Sequence, residues 1–220
     1  MNTYQHITEL KAPLKVLNTD EQIKLDGCKT TLSFKKGDRI YEEGALINGV
    51  YCIDKGVCKL TKKEQIIRLA GSGDILGLQS IIAKVPVNTS TYALETMQVN
   101  FIPSPLIIEL LEQNKLFSLN ALNIICKEFQ DASNLLVNMA QKNVRQRLAC
   151  TLLNFKDTFG TDEDAAININ LSREELASII GTAPENCIRL LSEFTKENII
   201  QLYGKKIIIK NPTALLKISK

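Results

Sequence analysis

Residues 171–191 read LSREELASIIGTAPENCIRLL, and their spacing decides how the C-terminal third of the chain folds. Leu176, Ile179 and Ile180 recur three and four positions after Leu176, as the buried face of one helix does. Ser172 stands ahead of them with Glu175 three residues on, the capping-box pattern that fixes where a helix begins. Gly181 closes the run, because a residue free to turn left-handed ends a helix without steric cost. Pro184 fits the first turn of a second helix, where its missing N–H is no loss. Cys187, Leu190, Leu191 and Phe194 give that second helix its own apolar face. Two short helices joined by a turn containing Gly predict a helix-turn-helix.

The outward side of the second helix carries Glu185, Asn186 and Arg189. A carboxylate can accept from cytosine N4–H, and a guanidinium can grip guanine O6 and N7 together. The same Glu185 and Arg189, one turn apart, also fit an ion pair on a solvated helix face, worth a few tenths of a kcal/mol. Spacing alone leaves both readings open.

The order Ser172-Arg173-Glu174-Glu175, Ile180-Gly181, Glu185 and Arg189-Leu190-Leu191 resembles the DNA-binding helix-turn-helix of the CRP/FNR family of bacterial transcription regulators. Glu197-Asn198-Ile199-Ile200 and then Leu202–Ile209 are similar to that family's helix end and two-stranded wing, turning at Gly204. The resemblance implies that Glu185, Asn186 and Arg189 read bases. It implies that Ser172, Arg173, Lys205 and Lys206 meet phosphate.

At 220 residues the chain suits one large domain or two smaller ones. With 45% hydrophobic and 23% charged residues it has the composition of an ordinary globular protein. A net charge of +3 permits a nucleic-acid partner without requiring one, since a local basic face matters more than the sum. No apolar run approaches the ~18 residues of a membrane span, and the polar start Met1-Asn2-Thr3-Tyr4-Gln5 is no signal peptide. A cytoplasmic protein without a membrane partner is expected. Cys28, Cys52, Cys58, Cys126, Cys150 and Cys187 include no CxxC pair, so neither a metal site nor an iron–sulfur cluster is expected. Cys28 stands alone in the first fifty residues, unlike the N-terminal cysteine cluster of FNR-type oxygen sensors. His6 is the only histidine, and no HExxH, GxSxG or Walker loop occurs, which speaks against an enzyme.

Between Thr30 and Pro103 the pattern changes to short β-rich runs such as Thr31–Phe34, Val50–Ile53, Val57–Leu60 and Val99–Ile102. Turns at Gly37-Asp38, Glu43-Gly44, Lys55-Gly56 and Gly71–Asp74 split them, which predicts a closed or double-sheet β fold. This half resembles the cyclic-nucleotide-binding jelly roll, or double-stranded β-helix, of the same family. Nucleotide-binding relatives hold the ribose with a Gly-Glu pair and the cyclic phosphate with Arg-Ser or Arg-Thr. Here the corresponding stretches read Gly77-Leu78-Gln79-Ser80 and Val87-Asn88-Thr89-Ser90-Thr91, with no arginine between Arg68 and Arg145. A buried phosphodiester without a cation costs several kcal/mol, so cyclic AMP is disfavoured as a cofactor. An effector of another kind, or none, is expected around Gly77, Leu78, Gln79, Ser80, Thr89, Ser90, Thr91 and Ser133.

Pro103 and Pro105 end the β region, and Ser104–Glu112 predicts a short helix. Leu119, Leu122, Cys126, Phe129, Ser133, Leu136 and Ala140 then alternate by three and four, an a/d seam of about three heptads. That seam predicts a homodimer; a helix packed only on its own β domain would show a wider stripe, and Ile125 and Leu135 do broaden it. Val144–Phe155 resumes a helix, Phe159–Asp164 reads as a solvated acidic loop, and Ile167–Leu171 alternates as a strand.

The expected fold is α+β: an N-terminal jelly-roll sensor domain (1–115), a long dimerisation helix (116–142) and a C-terminal winged helix-turn-helix (143–220). The domain joint is expected near Asn138–Asn143. Residues 1–26 read as a helical lead capped by Asn18–Glu21. The function so implied is a homodimeric, sequence-specific transcription regulator on a pseudo-palindromic operator, partnered by RNA polymerase if it activates. The alternative is a ligand- or redox-sensing β-domain protein with weak DNA affinity, switched by cysteines such as Cys52 and Cys58 on adjoining strands.

Overall fold

The computed structural model describes residues 13–220, so His6 and the first part of the helical lead lie outside the described residues. The chain forms two compact units, one from residues 13–62 and 69–132, the other from 63–68 and 133–220.

After a single 3-10 turn at Pro13–Val16, the first unit forms a helix, Thr19–Cys28, whose start is fixed by a reciprocal cap. The Glu21 N–H donates to the Asn18 amide oxygen at 2.9 Å, and the Asn18 N–H to the Glu21 carboxylate at 2.8 Å. Eight strands follow: β1 (Thr30–Phe34), β2 (Arg39–Tyr41), β3 (Gly49–Lys55), β4 (Cys58–Lys62), β5 (Gln65–Ala70), β6 (Ile75–Leu76), β7 (Ser90–Ala93) and β8 (Met97–Pro103). They make two four-stranded sheets, β1-β8-β3-β6 and β2-β7-β4-β5. Antiparallel registers such as Val50↔Ile102 and Leu60↔Thr91 set which side chains share a face.

Alternation on β3 explains why that strand is apolar on both faces. Ile53 joins Cys58, Leu60, Ala93, Met97 and Val99 in one buried cluster. Val50 and Cys52 join a second cluster, formed with Leu106, Ile107 and Leu110 of the helix Ser104–Gln113 and with Phe117 and Ala121 of the next helix. Each fully buried side chain of this size contributes roughly 1.5–3 kcal/mol.

The separation of these clusters corrects one expectation. Cys52 and Cys58 do not lie on adjoining strands: β3 and β4 belong to different sheets. Both thiols are buried, and burial pushes that of Cys52 up to about 12. A thiol held so far from its thiolate form is a poor nucleophile, and the adjoining-strand basis for a Cys52–Cys58 switch is gone.

The long helix runs from Lys115 to Gln141, matching the expected element. Only Phe117 and Ala121 are buried along it, both near its start. The division between the two units falls inside this helix, after residue 132, earlier than Asn138–Asn143, where the helix itself ends.

In the second unit the helix Val144–Phe159 starts at a second reciprocal cap, between Asn143 and Gln146. Helices Arg173–Ile180 and Pro184–Lys196 follow, then strands β9 (Ile200–Tyr203) and β10 (Lys206–Ile209), then a helix Pro212–Ile218. Ile167–Leu171 is not the strand its alternation predicts. Ile167 makes one bridge to Thr161, and its N–H donates to the Ile207 carbonyl at 2.9 Å. The Ile169 N–H then turns back to the Ile167 carbonyl at 2.8 Å, which ends the extension. Ile167 and Leu171 are buried in the core and Ile169 is half-buried, but through a turn.

Replacing Phe117 by Ala empties the centre of the second β-domain cluster. An expected loss of ~3–5 kcal/mol is checked by urea unfolding followed through circular dichroism.

Candidate DNA interface

Local chemistry builds the helix-turn-helix. The Glu175 N–H donates to the Ser172 hydroxyl at 3.0 Å, and the Ser172 N–H to the Glu175 carboxylate at 2.9 Å. Leu176, Ala177 and Ile180 are buried on the inner face. Gly181 ends the helix at φ +63°, and its N–H reaches the Ala177 and Ser178 carbonyls. A Cβ there would be strained in backbone and would stand 3.2 Å from the Met139 sulfur. Pro184 opens the second helix, which buries Cys187, Leu190, Leu191 and Phe194. Asn198, left-handed at φ 55°, follows its end.

Two arginines that sequence reasoning left without a role hold this pair of helices in place. The Arg147 guanidinium donates through Nε to the Ile180 carbonyl at 2.7 Å and through Nη2 to the Gly181 carbonyl at 3.2 Å. Its Nη1 donates to the Lys142 carbonyl at 2.6 Å. It thereby occupies carbonyls that a helix end leaves without partners. Arg145 bonds Glu193 at 3.2 Å and Glu197 at 2.6 Å, and its guanidinium carbon sits 4.7 Å from the centre of the Phe194 ring. Apart from the Arg147 contact with Lys142, these partners lie more than thirty residues away in sequence, so no local pattern announced them.

On the outward face Arg189 does not pair with Glu185. It binds Glu193 through Nη1 and donates through Nη2 to the Asn186 amide oxygen at 2.7 Å. Asn186 in turn donates to the Thr182 hydroxyl at 2.8 Å. Both ends of the Asn186 amide are thus committed, while Arg189 keeps 62% of its side chain exposed. Glu185 is exposed one turn away.

The wing is the β9–β10 hairpin, with Tyr203 opposite Lys206 and the turn at Gly204-Lys205. The Arg173 guanidinium donates to the Gly204 carbonyl at 2.7 Å, tying the wing tip to the start of the first helix. Lys205 is exposed at that tip. Lys206 behaves otherwise: its ammonium meets Asp162 at 2.8 Å and Asp164 at 2.7 Å. The acidic segment is accordingly no simple solvated loop. The Asp162 carboxylate also accepts the Asp164 and Ala166 N–H groups, each at 3.0 Å. Lys206 holds the Asp162 carboxyl below its ordinary range, and Asp162 first, then Asp164, raises the Lys206 ammonium.

The residues expected at the effector place, Gly77–Ser80, Thr89–Thr91 and Ser133, are themselves all uncharged. Gly77 sits at φ +83°, and a Cβ on it would collide with Ile47 at 2.3 Å. Leu78 is buried in the apolar cluster, Gln79 is exposed, and Ser80 is half-buried. Thr89 and Thr91 are buried. The Ser90 hydroxyl accepts the Glu43 N–H at 2.9 Å. The Thr91 hydroxyl has no hydrogen-bond partner. Ser133 is half-buried on the long helix.

A β jelly roll followed by a helix-turn-helix with a wing defines a class, the DNA-binding regulator with an attached sensor-type domain. A family model described as a cyclic nucleotide-binding domain matches residues 31–114, and one described as a Crp-like helix-turn-helix domain matches residues 146–218. The chain belongs to the CRP/FNR family of DNA-binding transcription regulators, which are not enzymes. It is 27% identical over 201 residues to Electron transport regulator A of Shewanella oneidensis, covering 88% of this chain and 80% of that one. It is 25% identical over 221 residues to the Fumarate and nitrate reduction regulatory protein of Yersinia pestis, covering 97% and 88%. The fold is similar to that of FixK2 from Bradyrhizobium japonicum, with a TM-score of 0.80 at 19% identity over 87% of this chain and 98% of that one. Among the described residues no helix is long and apolar enough to cross a membrane.

Because its folded pKa is depressed, Asp162 adds stability at pH values above the ordinary carboxylate pKa of ~3.9. That contribution is lost as pH falls through the lower, folded value. Asp162→Asn should therefore flatten the fall in thermal stability between about pH 5 and pH 2, as read by melting curves across that range.

Proposed function

We propose that the protein acts in the cytoplasm as a homodimer on a pseudo-palindromic operator, under an effector other than cyclic AMP or under none. The long helix carries this reading. Beyond Phe117 and Ala121 it leaves Leu119, Leu122, Cys126, Phe129, Leu136 and Ala140 exposed, with Phe129 at 74% and Leu136 at 73%. Such a heptad stripe gains most by burial against the same stripe of a second copy, around a two-fold axis. Two recognition helices so related suit half-sites one DNA turn, ~34 Å, apart.

On each half-site Glu185 and Arg189 read base edges, with Asn186 steadying Arg189. Arg173 and Lys205 contact phosphate, and the Ser172 hydroxyl, with its oxygen in the cap, keeps its proton for a phosphate oxygen. Lys206 approaches phosphate only by leaving Asp162 and Asp164, so its contribution is smaller than that of Lys205. Phosphate contacts carry affinity and salt dependence, whereas base contacts carry sequence preference. RNA polymerase is the further partner if the regulator activates.

The absence of Glu and Arg at Gly77–Ser80 and Thr89–Thr91 supports an effector without a phosphodiester charge. In the cyclic-nucleotide-binding relatives an arginine meets that charge; here Leu78 packs in an apolar cluster, and the buried Thr91 hydroxyl has no hydrogen-bond partner. A free hydroxyl in an apolar setting suits a small uncharged acceptor better than an anion.

Fluorescence anisotropy with operator DNA at two salt concentrations, with and without cyclic AMP, tests these statements together. Salt-sensitive, sequence-dependent binding indifferent to cyclic AMP is expected; binding that needs the nucleotide would overturn the effector reading. Arg189→Ala should cost ~1–3 kcal/mol and relax preference at one base per half-site, while Lys205→Ala should weaken all sequences alike and lower the salt slope by about 1. For the seam, Phe129→Asp should convert the dimer to a monomer in sedimentation equilibrium.

A further inference from the structure

The outward face of the second helix holds one residue that none of these roles uses. Ile188 is 49% exposed, while its neighbours Cys187, Leu190 and Leu191 are buried. Among the described residues of the two helix-turn-helix helices it is the one large apolar side chain left exposed. Isolated apolar residues are common on protein surfaces and mean little by themselves. Position gives Ile188 its meaning. It lies three residues after Glu185 and immediately before Arg189, in the second turn of Pro184–Lys196. Side chains near the start of a recognition helix are those that reach base edges.

The neighbouring groups define what Ile188 meets there. Arg189 is braced by Asn186 and Glu193 on one side of it. The Ser192 hydroxyl is turned back onto the Ile188 carbonyl at 3.0 Å. Ile188 therefore offers hydrocarbon, without a competing side-chain donor or acceptor of its own. In the major groove the single apolar group on any base edge is the thymine 5-methyl.

We infer that Ile188 reads a thymine methyl group in each half-site, at a position beside the base read by Arg189. The inference rests on the operator reading above and adds a base identity that Glu185 and Arg189 do not specify. A carboxylate and a guanidinium discriminate cytosine and guanine. Ile188 supplies discrimination of thymine from cytosine, which lacks the methyl.

The test begins with an operator selected by the full-length protein from random-sequence DNA. Each thymine of the half-site is then replaced, one at a time, by deoxyuridine, which pairs identically and lacks only the methyl. Anisotropy titrations should show one position per half-site where the replacement weakens binding about fourfold, the effect of one methyl removed from an apolar contact. Ile188→Ser should bind the thymine and deoxyuridine operators equally while keeping the guanine preference that depends on Arg189, which also shows that the helix still docks. Ile188→Val should retain part of the difference. If the protein selects a sequence but no deoxyuridine replacement weakens it, the role of Ile188 is overturned and the operator reading stands. A discrimination that survives unchanged in Ile188→Ser overturns that role as well. If no sequence is preferred at all, both readings fall.

Discussion

The junction at Ile180 and Gly181 depends on one guanidinium. A helix end leaves carbonyl oxygens without intrahelical donors, and a turn of few residues offers little room to hydrate them. Arg147 supplies donors to both carbonyls from the preceding helix Val144–Phe159, and its third contact reaches the Lys142 carbonyl. The first helix of the motif is thus fixed at its start by its own cap and at its end by a residue far away in sequence. Gly181 makes this possible, since its left-handed backbone lets the chain turn while its bare Cα leaves room beside Met139. The angle between the two helices, and therefore where the second one presents Glu185 and Arg189, follows from these contacts.

Charges in the second unit divide into those consumed by structure and those left for a ligand. Arg145, Arg147 and Lys206 are each tied to at least two oxygens within the unit. Arg173 spends one donor on the Gly204 carbonyl, and Lys205 stands exposed beside that carbonyl at the wing tip. Net charge therefore says little about DNA affinity here; what matters is where individual cations, such as Lys205 at the wing tip, stand exposed. The same division explains why Asn186 and Arg189 behave as a unit. An amide committed at both ends holds a guanidinium in one orientation, which lowers the entropy lost when it meets a base.

The β domain shows how composition can survive while chemistry changes. Two packed sheets need alternating apolar residues and turns, and β3, β4, β7 and β8 provide them. A phosphodiester pocket needs, in addition, charged residues that pack poorly and are retained only for a ligand. Leu78 packs in the core, so the apolar clusters that hold the sheets do not depend on a charged residue at that position.

Much was legible in the residues themselves. The capping pairs Asn18–Glu21 and Ser172–Glu175, the Gly181 turn, Pro184 and the wing at Gly204 are short-range features, governed by backbone sterics and hydrogen bonds within a few residues. Apolar periodicity likewise fixed the long helix and the two-sheet β region. Alternation misled at Ile167–Leu171, where no strand forms, because the Ile207 carbonyl captures the chain and the next residues turn. Cys52 and Cys58 misled for a related reason: closeness in sequence does not say which sheet a strand joins. Sequence by itself thus determined the elements, their order and the kind of chemistry on each helix face. Tertiary structure alone decided which charges are free, since Arg147 at Ile180, Arg145 at Glu193 and Lys206 at Asp162 are pairings made by folding across distances that local spacing cannot express.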